Sequence, residues 1–197
     1  FGLPPSSLMK SEGRAAGPIW MGIRLGEKLG VDYYLQTYEK GAWVMHMLRC
    51  LLTDYTTGSD EAFWKMLAEF YTTFAHKDPS TFDFQKIVER HAGMPMDWFF
   101  QQWVWGTEIP KYEWNVHTEK IAKKDFLVRG VVRQTGASLA FRMLVPIAFE
   151  LGNDQRRIER VWMTGSETTF EFRLSQKPKK IIFNYARAVL CEEKKID

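Results

Sequence analysis

Apolar residues in the first half of the chain recur at the spacing of an amphipathic helix. The segment Tyr38-Glu39-Lys40-Gly41 is followed by apolar residues at i, i+3, i+4, i+7 and i+8, namely Val44, Met47, Leu48, Leu51 and Leu52. We therefore predict a core-facing helix that begins near Tyr38. Gly41, in its first turn, lowers helix propensity by about 1 kcal/mol relative to alanine, which suggests that another backbone or a ligand comes close.

Three more helices are predicted before residue 110. The second carries an apolar face made by Phe63, Met66, Leu67, Phe70 and Phe74. The third begins at Ser80, because Ser80 followed by Asp83 is a capping-box pattern, and Gly93 fits its end. The fourth, at 96–104, is rich in aromatic residues. Upstream, residues 1–18 predict a loop, and 19–30 predict a short strand or a packed loop.

After Pro110 the apolar period changes from 3.6 to 2, which indicates strands. The predicted strands are 112–116, 126–132, 141–149, 157–163, 170–174, 180–184 and 186–191. Short strands separated by turn residues favour an antiparallel β-sandwich. The predicted fold class is therefore α+β, with a helical bundle over residues 1–110 and a β-sandwich domain over 111–197.

Composition places the chain among folded globular proteins. Hydrophobic residues make up 45% of it and aromatic residues 15%. The net charge of +3 is mild and the basic residues are scattered, so we predict no nucleic-acid surface. The sequence has no apolar run of about 18 residues, so no membrane-spanning segment is predicted. Cys50 and Cys191 fit neither a zinc spacing nor a disulfide framework, and buried free thiols are expected.

Several segments, in order along the chain, resemble gluzincin zinc metallopeptidases, the family of aminopeptidase N and leukotriene hydrolase. The strongest is the Tyr-Glu-Lys-Gly-Ala segment that begins at Tyr38. The helix at 63–74, the start of the next at 82–84, and Phe99-Phe100-Gln101-Gln102-Trp103 with Gly106-Thr107-x-Ile109-Pro110 follow. The resemblance runs from about residue 17 to 115 and is weaker beyond, where it rests mostly on Gln134, Pro146 and the run at 177–182.

This resemblance implies a fold and a chemistry. The helical half would belong to a metallopeptidase catalytic domain, followed by an immunoglobulin-like sandwich. Tyr38 would stabilise the oxyanion formed when a peptide is cleaved, and Tyr33 would border the substrate pocket. Zinc would be the cofactor of the complete enzyme, and a peptide its substrate.

The zinc-binding His-Glu-x-x-His motif is missing from this sequence, and its four histidines show no paired spacing: His46, His76, His91 and His117. The family's Gly-x-Met-Glu-Asn segment is missing too. Both lie N-terminal to the tyrosine in the family, and the sequence opens at Phe1. We therefore expect a C-terminal piece of a longer protein, with no metal site and no activity of its own.

Two consequences and two alternatives follow. The missing N-terminal catalytic segment would be the natural partner of this chain, and an uncovered aromatic face would favour self-association. The main alternative is a non-catalytic relative that serves as a protein-interaction scaffold, because fold does not imply function. A free-standing sandwich that acts as a binding module is the other. The sequence does not indicate a cellular compartment.

Overall fold

The computed structural model describes residues 17–25, 33–152 and 155–197. The chain forms two compact units that meet in sequence between Thr107 and Glu108. The predicted α+β class is confirmed, since helices occupy the described part of the first unit and two sheets occupy the second. Whether the two units fold independently stays a prediction.

In the described part of the helical unit there are four complete α-helices and shorter helical segments. The α-helices are α1 (Gly41–Leu52), α2 (Glu61–Phe74), α3 (Thr81–Ala92) and α4 (Asp97–Phe100). Two π-helical segments adjoin them: π1 (Tyr34–Lys40) precedes α1, and π2 (Gln101–Trp105) follows α4. Short 3₁₀ turns cover Ile19–Leu25. The strand alternative predicted for 19–30 is wrong over Ile19–Leu25, because the backbone winds into helical turns and changes direction at Gly22, whose φ is 53°. The rest of that prediction, and most of the loop predicted at 1–18, lies outside the described residues.

The helix faces predicted from periodicity contribute to the core of this unit, although their members Leu51, Leu52, Leu67, Phe70 and Phe74 are only half-buried. Its most buried side chains are Met47, Leu48, Met66, Val88, Met96, Phe99 and Trp103. The capping box at α3 is confirmed: Ser80 Oγ accepts from the Asp83 backbone, and the Asp83 carboxylate accepts from the Ser80 backbone. Gly93 ends α3 in the left-handed region, as predicted.

The second unit contains two sheets. The strands are β1 (Lys111–Ala122), β2 (Asp125–Thr135), β3 (Arg142–Glu150), β4 (Arg156–Thr164), β5 (Glu167–Leu174), β6 (Lys180–Ile182) and β7 (Glu192–Lys195). Their order is β5-β2-β1-β7 in one sheet and β4-β3-β6 in the other. The pairing is antiparallel except that β7 runs parallel to β1, so the expectation of a purely antiparallel sandwich is wrong at this edge.

The inward faces of the two sheets make the second core. Fully buried side chains include Val128, Met143, Val145 and Phe149, and the Phe149 ring contacts Phe172 on the other sheet. Gly130 lies opposite Phe170, and an added Cβ there would come within 2.1 Å of the Phe170 ring. The glycine therefore makes room for an aromatic ring. The immunoglobulin-like arrangement stays a prediction.

The strand predicted at 186–191 is wrong. Asn184, Ala186 and Arg187 have positive φ values, and a 3₁₀ turn covers Tyr185–Arg187. The Asn184 amide group both donates to the Val189 carbonyl and accepts from the Val189 N–H, which closes the turn. The apolar residues at 188–191 are buried without pairing as a strand, because this turn brings them into the core.

Two expectations from the sequence concern a membrane-spanning segment and the cysteine thiols. Among the helices that the structure describes, none is long and apolar enough to cross a bilayer. Cys50 and Cys191 are buried free thiols, as expected. Burial raises the pKa of both thiols, so neither is poised as a thiolate.

Candidate functional site

Tyr38, the predicted catalytic residue, lies inside a helical run and not at its start. In the described residues the backbone is already helical at Tyr33 and continues through π1 into α1 without a break, so the predicted helix start near Tyr38 is wrong. The Tyr38 side chain is 57% exposed. Wide π-helical turns are rare and are found frequently at functional sites. The backbone at Tyr38 is thus π-helical, and its side chain is exposed.

Two other tyrosines form a cluster with Tyr38. The Tyr34 ring stacks on Tyr38 with centroids 5.5 Å apart, and the Tyr33 ring meets Tyr38 edge-on at 5.9 Å. The pKa of Tyr33 is raised by repulsion from an ionised Tyr38 and by a hydrogen bond to Tyr38. The two phenols therefore interact both through their rings and through their hydroxyl groups. The structure thus brings the two predicted site residues together.

The opposite face of π1 is buried and polar. Gln36 is 3% exposed and Lys40 is 2% exposed. The Lys40 ammonium Nζ donates to the Gly106 carbonyl at 2.9 Å. Burial lowers the pKa of Lys40 to about 8, because the interior disfavours the charged form.

Sequence reasoning did not single out this buried lysine as part of the site. A signal was present, since Lys40 lies four residues before Val44 and so extends the apolar stripe of α1 one turn toward the N-terminus. Lysine side chains are ordinarily exposed, so the residue type gave no reason to expect burial.

Gly106, which accepts from Lys40, is closely packed. An added Cβ at this glycine would lie 2.7 Å from the Gln102 carbonyl oxygen and 3.0 Å from that of Gln101. Its neighbour Trp105 stacks on Phe82 with centroids 5.5 Å apart and contacts Trp20 at 5.6 Å. The carbonyl that receives Lys40 therefore lies in a well-fixed stretch of chain.

Gly41 does not have the close neighbour that was expected. Among the described residues, no atom comes within 4 Å of where its Cβ would lie, apart from its own helix and chain neighbours. Its φ of −58° and ψ of −45° are ordinary helical values. Neither backbone strain nor crowding within the described structure explains a glycine at this position.

The described residues do not fit a zinc site. No group of three or more His, Cys, Asp or Glu side chains in the described part of the chain could hold a metal. His46 Nε2 lies 3.6 Å from Cys50 Sγ within α1, and His91 Nε2 lies 2.6 Å from the Glu69 carboxylate. A catalytic zinc needs three protein ligands, and these pairs supply at most two each.

Comparison with known proteins gives one kind of similarity. No protein-family model matches the sequence, and no curated protein is similar to it in sequence. Among solved structures, the fold is similar to that of Legionella pneumophila aminopeptidase A in complex with aspartic acid, with a TM-score of 0.60 and 14% identity. The match covers 83% of this chain and 18% of that protein. At this identity the likeness establishes an aminopeptidase-like fold and nothing finer.

Proposed function

We propose that this chain is the C-terminal part of a zinc-dependent metallopeptidase, an aminopeptidase that removes N-terminal residues from peptides. The observation that carries the proposal is the structural likeness to an aminopeptidase over 83% of the chain. Within that fold, the Tyr38 segment supplies a group suited to the chemistry. Because the match spans only 18% of the aminopeptidase, the activity proposed is that of a complete protein containing this chain.

Tyr38 would stabilise the oxyanion of the tetrahedral intermediate. Its phenol is exposed on a regular helical run, so a substrate can reach it. The Tyr38 hydroxyl interacts with that of Tyr33, and the proposed role requires Tyr33 to donate this bond, so that the Tyr38 proton is left for the oxyanion. Hydroxyl groups linked in this way strengthen one another's hydrogen bonds. A fixed donor of this type is typically worth about 100- to 1,000-fold in rate.

Tyr33 would line the substrate pocket beside Tyr38. Its ring lies edge-on to Tyr38, so a group bonded to the Tyr38 hydroxyl would lie near Tyr33 as well. The hydrogen bond between the two phenols also restricts rotation of the Tyr38 ring. In this proposal Tyr33 both touches the substrate and supports the Tyr38 donor.

The metal is not supplied by the residues described here. In a zinc peptidase the bound ion lowers the pKa of a water molecule and so provides the nucleophile. The described residues of this chain present no set of three ligands, so other residues of the complete protein would hold the ion. The 197-residue chain alone is therefore proposed to be inactive.

The test is Tyr38→Phe in the complete protein. We expect kcat for an aminoacyl-anilide substrate to fall about 100-fold or more with little change in KM, since the lost bond forms mainly in the transition state. Tyr71→Phe is the matched control, because it removes one hydroxyl from a tyrosine that is 76% exposed on α2. That control should keep the wild-type kcat.

Three other outcomes would count against the proposal. A raised KM with unchanged kcat would make Tyr38 an ordinary substrate-binding residue. Unchanged kcat and KM would remove Tyr38 from the site altogether. A complete protein that binds no zinc and cleaves no peptide would favour the alternative, a protein-interaction scaffold with an aminopeptidase-like fold.

Self-association through exposed aromatic side chains also stays a proposal, which sedimentation of the 197-residue chain would measure.

A further inference from the structure

The π1 segment has two faces with different tasks. Tyr38 and Lys40 are two residues apart, and helical side chains at that spacing point roughly in opposite directions. Tyr38 is exposed accordingly, and Lys40 is buried. Rotation of π1 about its axis would swing both side chains together. Any contact that fixes Lys40 therefore also fixes the direction of the Tyr38 phenol.

The contact made by Lys40 is directional. Its ammonium donates to the Gly106 carbonyl, 66 residues away in sequence, at 2.9 Å. Gly106 directly follows π2 and its backbone is extended, so its carbonyl lies beyond the helical run and accepts from a side chain instead. The last turn of π2 contains no basic residue, so the cation beside this carbonyl comes from another segment of the chain.

A lysine at this buried position is otherwise unexpected. Burying an ammonium group is unfavourable, and an apolar side chain of similar length would fill the same space without that cost. What an apolar side chain lacks is a hydrogen bond with a defined direction. The acceptor is itself well placed, because Gly106 packs against the Gln101 and Gln102 carbonyls and Trp105 is stacked on Phe82.

We propose that Lys40 is a positioning residue for Tyr38: its bond to the Gly106 carbonyl fixes the rotation of π1 and so aims the phenol. This inference rests on the proposed role of Tyr38 in oxyanion stabilisation. Lys40 touches no substrate in it and acts only through Tyr38. Removing the Lys40 bond should therefore matter only while the Tyr38 hydroxyl is present.

The experiment is a double-mutant cycle in the complete protein, with Lys40→Met, Tyr38→Phe and the double variant. Methionine keeps most of the length of the side chain and removes the donor. We expect Lys40→Met to lower kcat about tenfold with KM changed less than twofold, because a donor displaced by a fraction of an ångström loses transition-state stabilisation. In the Tyr38→Phe background the same substitution should cost less than twofold.

Lys65→Met is the matched control, since Lys65 is an exposed lysine on α2 that pairs with Glu61. It should keep wild-type kcat. If Lys40→Met lowers kcat equally with and without the Tyr38 hydroxyl, the positioning role is overturned while the role of Tyr38 stands. If Tyr38→Phe leaves kcat unchanged, the proposed function itself fails and the positioning role fails with it.

Hydrogen exchange of the 197-residue chain distinguishes local positioning from general damage. In Lys40→Met we expect the backbone amides of π1 to exchange about tenfold faster while those of α3 keep their wild-type rates. Faster exchange in both π1 and α3 would mean loss of overall stability. Unchanged exchange in π1 would mean that the bond to Gly106 does not restrict the motion of π1. Either result overturns the proposal.

Discussion

Lys40 should make the stability of the helical unit rise with pH above 8. The Lys40 side chain is almost completely buried, and burial lowers its pKa from 10.5 to about 8. Between these two values the folded protein has released a proton that the unfolded chain still holds. Unfolding then takes up a proton, so the free energy of unfolding increases with pH in this window. Below pH 8 both states are protonated, and the cost of burying the ammonium is fully present and constant.

The size of the effect follows from the shift in pKa. One pKa unit corresponds to about 1.4 kcal/mol, so the full effect between pH 8 and 10.5 is about 3 kcal/mol. Between pH 7 and pH 9.5 the Lys40 contribution should reach about 2 kcal/mol. Tyrosines titrate near 10 and above, which makes pH 9.5 a suitable upper limit.

Urea unfolding of wild type and Lys40→Met at pH 7, 8, 9 and 9.5 measures this difference. Circular dichroism at 222 nm follows the helical unit, where α1, α2 and α3 lie. Methionine does not titrate, so the stability of wild type relative to the variant should increase by about 2 kcal/mol across the series. Lys65→Met alters an exposed lysine, so the difference in free energy of unfolding between this variant and wild type should stay constant across the pH series. A constant difference between wild type and Lys40→Met would refute the claim that Lys40 is buried as a charged group.

Two glycine substitutions test the packing of the two units. Gly41→Ala should stabilise the helical unit by about 0.5–1 kcal/mol in urea unfolding, because the backbone at Gly41 is helical and the space around it is open. A destabilised variant would show that an atom outside the described residues crowds Gly41. Gly130→Ala should destabilise the β unit by about 1–3 kcal/mol, because the new Cβ would overlap the Phe170 ring. A variant with the thermal midpoint of wild type would contradict the packing of Phe170 over β2.

Local patterns in the sequence determined the class of the fold. A period of 3.6 before residue 110 and of 2 after it predicted helices and then strands, because each period is the condition for burying one face of that element. The capping box of Ser80 and Asp83 and the left-handed Gly93 were also predictable. These motifs depend only on residues within one turn of each other.

The positions of Tyr33 and Tyr38 were predictable in part. The motif around Tyr38 singled it out as a candidate, but the helix was predicted to start too late, since the backbone is already helical at Tyr33. Periodicity failed there because the face of π1 beneath the tyrosines is polar, with Gln36 and Lys40 buried where an apolar stripe would be expected. A polar residue indicates exposure in the sequence unless its partner is known.

Contacts between distant residues decided the rest. The parallel pairing of β7 with β1 joins segments about 80 residues apart, and the Asn184 turn replaced a strand that the apolar run at 186–191 favoured. The bond from Lys40 to Gly106 joins residues 66 apart in sequence and gives the buried lysine its hydrogen-bond partner. The period of the hydrophobic residues indicates which face of an element is buried. The partner of a buried polar group, in contrast, is determined only when the chain has folded.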